Sequence, residues 1–427
     1  MARIFACVAT IATSLLSAIG SADEPGPILV VPASDVLMNV TSDVPQQVSL
    51  DSGVAWRLVD ANDPNHHFRA QLLTAVLPDG TPDKQSRRMV VAIPAGKKPN
   101  ATRRFRVVPD TVKSPNTGES KEETFRFKES STKSLGLWEK NQPVLVYNHG
   151  TITDPQVPEN DPRRSRGCYI HPLWGLYGEV LTDDFPRDHY HHHGIFWAWP
   201  SVGYDGREYS LWNYRDIEPK FVRWLARETG PVAAQLGVEN GWYVGDKKIM
   251  IERVWLLTHR SSDGERALDL QFTWIPVDKP ITLSGQPTKS YGGLTMRFDI
   301  SPRKNGMITT PQGAAKREGG VFTTKSDLVN TRLPWADMTS HFPQAPERSG
   351  AALFVPTSHP NYPPSWLTRS YGCVCIGWPG TEGRTFKVGE PIRLNYRVWI
   401  HKHAVGVDRL QKSYQGYTTL DDVKWEF

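Results

Sequence analysis

Histidines are concentrated in one stretch of this sequence. Six of the thirteen fall between residues 147 and 200, and His189, His191, His192 and His193 lie within five positions. Imidazole titrates near neutral pH and coordinates metal ions, so this concentration indicates acid–base catalysis or metal binding. Asp183, Asp184 and Asp188 and the adjacent arginines Arg163 and Arg164 lie in the same stretch. We therefore predict that the functional site lies here.

The densest part of the stretch, residues 188–194, runs directly into the apolar segment 195–199. If the chain is extended there, side chains at alternate positions share a face. One face would then carry three histidines and two tryptophans: His189, His191, His193, Trp197 and Trp199. Imidazoles beside indoles suit a polar ligand with a flat apolar side, so we expect a saccharide or another small polar substrate.

Two kinds of saccharide chemistry fit these residue types. A glycoside hydrolase needs an acid and a base or nucleophile, most often two carboxylates. A lyase or epimerase uses His or Tyr as acid and base beside a carbonyl group. The candidate catalytic residues are His171, Asp184, Asp188, His189, His191, His192 and His193. The candidate substrate-binding residues are His149, Arg163, Arg164, Tyr169, Trp197, Trp199, Trp212, Tyr291, His359 and Asn361. Further carboxylates lie nearby in the sequence: Asp183, Glu179 and Glu208.

A metal centre is an alternative interpretation. His189, His191 and His193 would supply three nitrogen ligands, with Asp184 or Asp188 as a further ligand or as the group that orients them. The cofactor would then be one divalent metal ion, and the protein a metal-dependent oxidoreductase or hydrolase. A third interpretation is a noncatalytic glycan-binding protein, which would not need so many ionisable groups.

Other chemistries lack their motifs. The sequence contains no Gly-x-Ser-x-Gly elbow, no phosphate-binding Gly-x-x-x-x-Gly-Lys loop and no dinucleotide fingerprint. This argues against nucleotide-dependent and serine-hydrolase functions. The net charge is only +5 and no long basic run is present, so nucleic acid is not an expected partner.

The N-terminus has the pattern of a secretory signal peptide. A short basic start is followed by an apolar segment and by small residues that end at Ala22, which predicts cleavage after residues 1–22. No later stretch is long and apolar enough to span a membrane. We therefore expect an exported protein, periplasmic or extracellular, without membrane insertion after cleavage.

Three cysteines follow the predicted cleavage site: Cys168, Cys373 and Cys375. So few cysteines in an exported chain of 427 residues do not make a disulfide scaffold, and we expect plain buried thiols. A bridge from Cys168 to one of the other two is an alternative, as is a pair of thiolate metal ligands.

Short strand-like runs broken by Gly, Pro, Asn and Asp dominate the chain, and only the tail after Val405 has a helical pattern. The predicted fold class is all-β, with a large antiparallel β-sandwich as the main domain and a smaller N-terminal β-sandwich domain. The predicted divisions are a signal peptide (1–22), an N-terminal β domain (23–110), a linker or exposed hairpin (111–135), the main domain (136–405) and a C-terminal tail (406–427).

Several motifs resemble a bacterial family that carries the label methane oxygenase PmoA. They are Tyr-Ile-His-Pro at 169–172, Leu-Thr-Asp-Asp at 181–184, the histidine motif at 188–199, Tyr-Gly-Gly at 291–293, His-Pro-Asn at 359–361 and Tyr-Arg-Val at 396–398. The resemblance extends over about residues 143–403. Where members commonly have His-His-Arg-Gly, this chain has His193 in place of the arginine.

The family label is a poor guide to chemistry, because a particulate methane oxygenase subunit has several membrane spans and this chain has none after cleavage. The resemblance implies an exported all-β protein, often from carbohydrate-degrading bacteria. It also implies a fold similar to the galactose-mutarotase-like supersandwich. Fold alone does not define function.

Overall fold

The structure is a computed structural model that describes residues 26–96, 101–110, 123–300, 305–314 and 327–427. The predicted signal peptide and residues 111–122 of the predicted linker lie outside the described residues. Within those ranges, no helix has the length and apolar character needed to cross a membrane.

The N-terminal unit is a β structure with its own core. Its strands are β1 (Ile28–Val31), β2 (Met38–Asp43), β3 (Trp56–Asp60), β4 (His67–Val76), β5 (Pro82–Ile93) and β6 (Arg103–Pro109). They pair in one antiparallel sheet in the order β2-β5-β4-β3-β6-β1. Side chains such as Leu29, Leu58 and Phe105 are fully buried in its core, as expected when alternate residues of a strand face the interior.

The main domain begins with a hairpin and continues as a long series of antiparallel strands. Its strands are β7 (Phe125–Ser131), β8 (Ser134–Glu139), β9 (Gln142–Asn148), β10 (Ile152–Thr153), β11 (Ser165–Arg166), β12 (Tyr169–Leu173), β13 (Ile195–Ala198), β14 (Ser201–Tyr204), β15 (Arg207–Tyr209), β16 (Glu218–Thr229), β17 (Ala233–Val244), β18 (Lys247–His259), β19 (Glu265–Pro276), β20 (Ile281–Ser284), β21 (Gly293–Arg297), β22 (Met307–Thr310), β23 (Gly313–Ala314), β24 (Val329–Arg332), β25 (Trp335–Ser340), β26 (Ser349–Phe354), β27 (Ser365–Arg369), β28 (Cys373–Gly377), β29 (Arg384–Phe386) and β30 (Ile392–Lys402). The described part of the predicted linker thus belongs to the hairpin β7–β8.

Two nine-stranded antiparallel sheets make up most of this domain. The first has the order β24-β27-β28-β21-β13-β12-β9-β8-β7, and the second has the order β16-β17-β18-β19-β30-β26-β25-β22-β23. A four-stranded sheet, β15-β14-β20-β29, and the short pair β10-β11 complete it. The first sheet carries the histidine motif in the connection between β12 and β13.

The two large sheets share one hydrophobic core. Trp197 of β13 contacts Phe272 of β19, with ring centroids 4.7 Å apart. Trp199 meets Trp274 edge-on at 5.2 Å. Side chains of both sheets fill the space between them, so the predicted all-β class with a large antiparallel sandwich is confirmed.

The C-terminal segment joins both units. The helix α1 (Val407–Thr418), where a helical pattern was predicted, buries Leu410 and Tyr414 against the main domain. The last strand, β31 (Lys424–Glu426), pairs with β1 and is the seventh strand of the N-terminal sheet. The residues predicted as a separate tail therefore belong to the two domains.

The three cysteines are buried and free, as expected. Burial raises the pKa of Cys168 well above its usual value. Each is therefore an ordinary buried thiol.

Candidate functional site

The histidine motif forms turns, not a strand. The amide of His189 donates to the carbonyl of Pro186 at 2.9 Å, and the amide of His192 donates to the carbonyl of His189 at 2.9 Å. Strand β13 begins only at Ile195. The predicted face that combined three histidines with Trp197 and Trp199 is therefore wrong, because the tight turns break the alternation on which it depended.

Gly194 allows this turn to lie against β12. Its φ is +23°, and a Cβ atom at this position would overlap the carbonyl oxygen of Ile170 and lie 2.7 Å from the Cβ of His171. Its amide donates to the carbonyl of Asp183 at 2.8 Å. Only glycine permits this close backbone approach without displacing β12.

Trp197 and Trp199 were predicted to stack on substrate, and the structure corrects this. Trp197 is 3% exposed and Trp199 is 0% exposed. Both lie in the core between the large sheets, because β13 is a central strand with every residue buried. Their indoles stabilise the fold beneath the site.

Three histidines gather in what we call the histidine cluster: His189, His191 and His192, with Trp212 and Tyr371. His189 stacks on His192 at 4.8 Å and on Tyr371 at 4.5 Å. His191 meets His192 edge-on at 4.6 Å. Trp212, also predicted to bind substrate, is only 5% exposed and packs against the cluster 5.8 Å from His192, so that prediction is corrected. Tyr291 packs on Trp212 at 4.7 Å and extends the aromatic surface.

A buried arginine lies beneath the histidine cluster. Arg297 of β21 is fully buried, and its Nη2 lies 2.9 Å from Oδ1 of Asp188. Its Nη1 lies 3.4 Å from Nδ1 of His192, and its Nε lies 3.7 Å from Oδ2 of Asp183. The ring of Tyr371 covers the guanidinium at 4.7 Å. Arg297 therefore connects two carboxylates, a histidine and a tyrosine.

Arg297 and Tyr371 were not among the predicted site residues. Asp183 was predicted only as a carboxylate close to the site in the sequence. The available signal was a charged residue inside the apolar segment 293–298. Buried arginines are nearly always paired, so Arg297 required a carboxylate partner. Nothing in the sequence indicated that this partner would be Asp188, because 109 residues separate the two.

The two carboxylates beside Arg297 have pKa values shifted in opposite directions. Burial raises the pKa of Asp183 to about 6, although Arg297 opposes the shift. Burial also disfavours ionisation of Asp188, but Arg297 and a hydrogen bond from His189 hold its pKa below the usual value. Burial and nearby cationic groups lower the pKa of His191 to about 3. His191 is therefore neutral at pH 7, whereas Asp183 titrates close to neutrality.

His193 forms a separate buried group with Asp184 and Tyr169. Its Nδ1 lies 2.7 Å from Oδ1 of Asp184, whose Oδ2 accepts a hydrogen bond from the Tyr169 hydroxyl at 2.8 Å. The His193 ring is 2% exposed, and burial lowers its pKa well below the usual value. Burial raises the pKa of Asp184 to about 6. These three side chains support the turn from behind and do not line an open surface.

The predicted three-histidine metal set is not assembled. Within the part of the chain that the structure describes, no three His, Cys, Asp or Glu side chains are grouped so as to hold a metal ion. The rings of His189 and His192 are parallel to within 4°, so their nitrogens do not converge on a common point. His193 uses its Nδ1 on Asp184.

The remaining predicted residues divide into near and distant ones. Arg163 lies near the histidine cluster, with its guanidinium 5.6 Å from the ring of Tyr190 and paired with Asp161. Arg164 donates to the carbonyl of Val157 within its own loop. His171 lies beside Gly194, and its Nδ1 is 3.1 Å from the Thr182 hydroxyl.

Three predicted residues have structural roles elsewhere, which corrects their placement as substrate ligands. His149 packs on Phe221 and Trp224 of β16 at 5.0 and 5.1 Å. His359 is 5% exposed, and its Nε2 lies 3.3 Å from the Tyr396 hydroxyl. The side-chain oxygen of Asn361 accepts a hydrogen bond from the Trp378 indole at 3.0 Å.

The comparisons with known proteins concern the main domain. Residues 137–415, more than half of the chain, match the model of a family described as a family of unknown function, DUF6807. No curated protein matches the chain.

Proposed function

This chain belongs to the family of unknown function DUF6807, and for this member we propose an exported carbohydrate-active enzyme. It cleaves a saccharide by acid–base chemistry at the histidine cluster and its two carboxylates, Asp183 and Asp188. The proposal includes the export that the N-terminal sequence predicts and the supersandwich that the PmoA resemblance implies.

One observation carries this proposal: Asp183 and Asp188 lie beside the same guanidinium, and their pKa values are shifted in opposite directions. Their oxygens lie 3.7 and 2.9 Å from Arg297 nitrogens. The pKa of Asp183 is raised to about 6 and that of Asp188 is lowered. Carboxylates whose environments separate their pKa values are the usual acid and base of glycosidic cleavage.

The roles follow from the protonation states. Asp183 would donate a proton to the leaving oxygen, since a general acid works best with a pKa near the working pH. Asp188 is ionised, and its side chain is 38% exposed. It would act as the base or nucleophile. His189 and His191, the partly exposed imidazoles of the cluster, would exchange hydrogen bonds with sugar hydroxyls, and Tyr291 and Tyr371 would contact the apolar face of the ring.

A lyase or epimerase is the second candidate, and His191 is the observation that favours it. This imidazole is half-buried, and its Nδ1 has no hydrogen-bond partner among the described residues. An imidazole nitrogen without a partner could accept a proton beside a carbonyl group, but this Nδ1 is itself enclosed by protein. Its pKa of about 3 makes it a weak base, so the carboxylate pair is preferred.

Sugar release from a panel of polysaccharides tests the proposal. We expect activity in the wild type and a loss of about 10²–10⁴-fold in kcat in both Asp183→Asn and Asp188→Asn, the range for removal of a general acid or base. Asp205→Asn, which alters a surface carboxylate paired with Lys279, is the matched control and should retain activity.

The products separate the two candidates. Hydrolysis gives saturated sugars, whereas a lyase gives unsaturated products that absorb ultraviolet light. Full turnover in Asp183→Asn, or a wild type that cleaves no glycan in the panel, would refute the proposal.

A further inference from the structure

A cavity lies next to the loop that carries Arg163. Its volume is about 540 Å³, within the range of roughly 300–1,000 Å³ typical of small-molecule sites. It lies where the loop 150–167 meets the start of β16 and the turn between β17 and β18. Its lining includes Pro162, Gly167, Tyr214, Asp216 and Tyr243. We call it the loop cleft.

The loop cleft and the site share their walls. Pro162 lines the cleft, while the next residue, Arg163, lies over Tyr190 of the histidine motif. Tyr214 lines the cleft, and Trp212, two residues earlier, supports the histidine cluster at 5.8 Å from His192. Two separate segments, which we call the wall, thus contribute one residue to the cleft and a nearby residue to the surroundings of the histidine cluster.

A third connection lies under the wall. Arg166 is 2% exposed, and its Nη1 and Nη2 donate to the carbonyls of Leu211 and Trp197 at 2.8 and 3.4 Å. The ring of Tyr214 covers its guanidinium at 4.6 Å. This arginine connects the loop that carries Trp212 to strand β13. The wall between cleft and site is therefore held in one position.

The cleft surface has the chemistry of a saccharide site. Tyr243 is half-exposed, with Lys220 lying 5.3 Å from its ring centroid, and Asp216 is exposed. The hydroxyls of Thr151 and Ser165 and the carboxylates of Glu208 and Glu218 add hydrogen-bonding groups. Aromatic faces with a few polar groups are typical of sites for sugar rings. Glu208 pairs with Arg215 and Glu218 with Lys220, so the lining carries little net charge and suits a neutral sugar.

We propose that the loop cleft binds the distal sugar units of a neutral oligosaccharide whose reacting linkage lies at Asp183 and Asp188. This inference rests on the proposed function. It adds that the substrate is a chain of several sugars, which crosses the Pro162–Arg164 turn. Contacts far from the reacting bond contribute binding energy that can position that bond.

The test compares oligosaccharides of increasing length, from disaccharide to hexasaccharide, prepared from the polysaccharide that the wild type cleaves. We expect kcat/KM to rise with length, and Tyr243→Ala to remove about fivefold to tenfold of that rise while leaving the disaccharide unaffected. Asp216→Ala provides a second variant on an exposed residue. Tyr177→Ala changes another half-exposed tyrosine, outside the cleft, and should behave as wild type.

A kcat/KM that is independent of length, or a Tyr243→Ala variant identical to wild type on the hexasaccharide, would overturn the cleft proposal while leaving the acid–base site intact. If no glycan is cleaved, an array of neutral oligosaccharides still tests whether the cleft binds sugars. In that case, weaker binding by Tyr243→Ala than by the wild type would support the cleft proposal. Absence of binding to every neutral glycan would overturn it.

Discussion

Two buried groups in this protein use the same residue types in different ways. In the second large sheet, Asp269 of β19 lies between Arg397 and His259 at 2.6 and 2.8 Å. In the site, Asp183 lies 3.7 Å from Arg297, beyond hydrogen-bonding distance. The first carboxylate has its charge fully compensated, whereas the second does not.

The difference arises from backbone regularity. Asp269 and Arg397 are direct cross-strand partners on β19 and β30, so the sheet itself places guanidinium and carboxylate in register. Asp183 and Asp188 lie in the connection before β13, and Arg297 ends β21. Turns present their side chains at irregular angles. A close ion pair therefore forms on the strands, whereas on the turn Asp183 stays 3.7 Å from its arginine.

The largest expected effect comes from breaking the regular pair. Arg397→Met leaves the half-buried Asp269 with only His259, which should lower the free energy of unfolding by about 3 kcal/mol, the low end of the range for a buried ion pair. Arg297→Met should cost at least about 1 kcal/mol less, because Asp188 reaches solvent and Asp183 can take up a proton. Urea unfolding at pH 7 measures both. An equal loss in the free energy of unfolding for the two variants would contradict the difference between the Asp269 group and the Asp183 group.

An intermediate effect is expected in the pH dependence of stability. The pKa of Asp183 is about 6 in the folded protein against a usual 3.8, so the folded state holds a proton that the unfolded chain releases. The contribution of Asp183 to the free energy of unfolding therefore falls as the pH rises from 4 to 6. Asp183→Asn lacks this group, and its stability relative to wild type should rise by about 1–3 kcal/mol over that range.

Asp269→Asn should show the opposite sign. Burial opposes ionisation of Asp269, but Arg397 and His259 hold its pKa well below the usual value. The stability it contributes is present above pH 4 and lost as the pH falls further. The variant should therefore be more destabilised at pH 6 than at pH 3. If the stabilities of Asp183→Asn and Asp269→Asn relative to wild type changed with pH in the same direction, the opposite pKa shifts of the two aspartates would be contradicted.

The smallest effect is expected from two matched tyrosines. Tyr371 covers Arg297 at 4.7 Å and Tyr417 covers Arg397 at 4.6 Å. Replacing either with leucine removes one cation–π contact and should cost about 1 kcal/mol of stability. Only Tyr371→Leu should also raise the KM for saccharide, because Tyr371 stacks on His189 in the site. Kinetics and thermal unfolding of the two variants, measured side by side, test this.

Much of the fold was predictable because strands carry a local pattern. The alternation in the predicted runs corresponds to β17, β18, β19 and β30, which are regular and long. The helical pattern after Val405 corresponds to α1. The pairing of β31 with β1 was not predictable, since it joins segments almost 400 residues apart and depends on where the chain ends meet.

The histidine motif could be located from the sequence, but the arrangement of its side chains could not. The density of histidines at residues 188–193 predicted a functional site there, and that function stays a prediction. The predicted geometry was wrong because an extended backbone was assumed. Trp197 and Trp199 then appeared accessible, whereas both lie beneath the site.

The sequence by itself determined the β class, the location of the histidine motif and the burial of the three cysteines. These depend on local alternation and on residue chemistry, which a linear chain displays directly. Tertiary structure alone decided that Arg297 and Tyr371 join the histidines and that Asp183 and Asp188 differ in pKa. Both outcomes depend on burial and on contacts across more than 70 residues of chain, which exist only once the two sheets have packed.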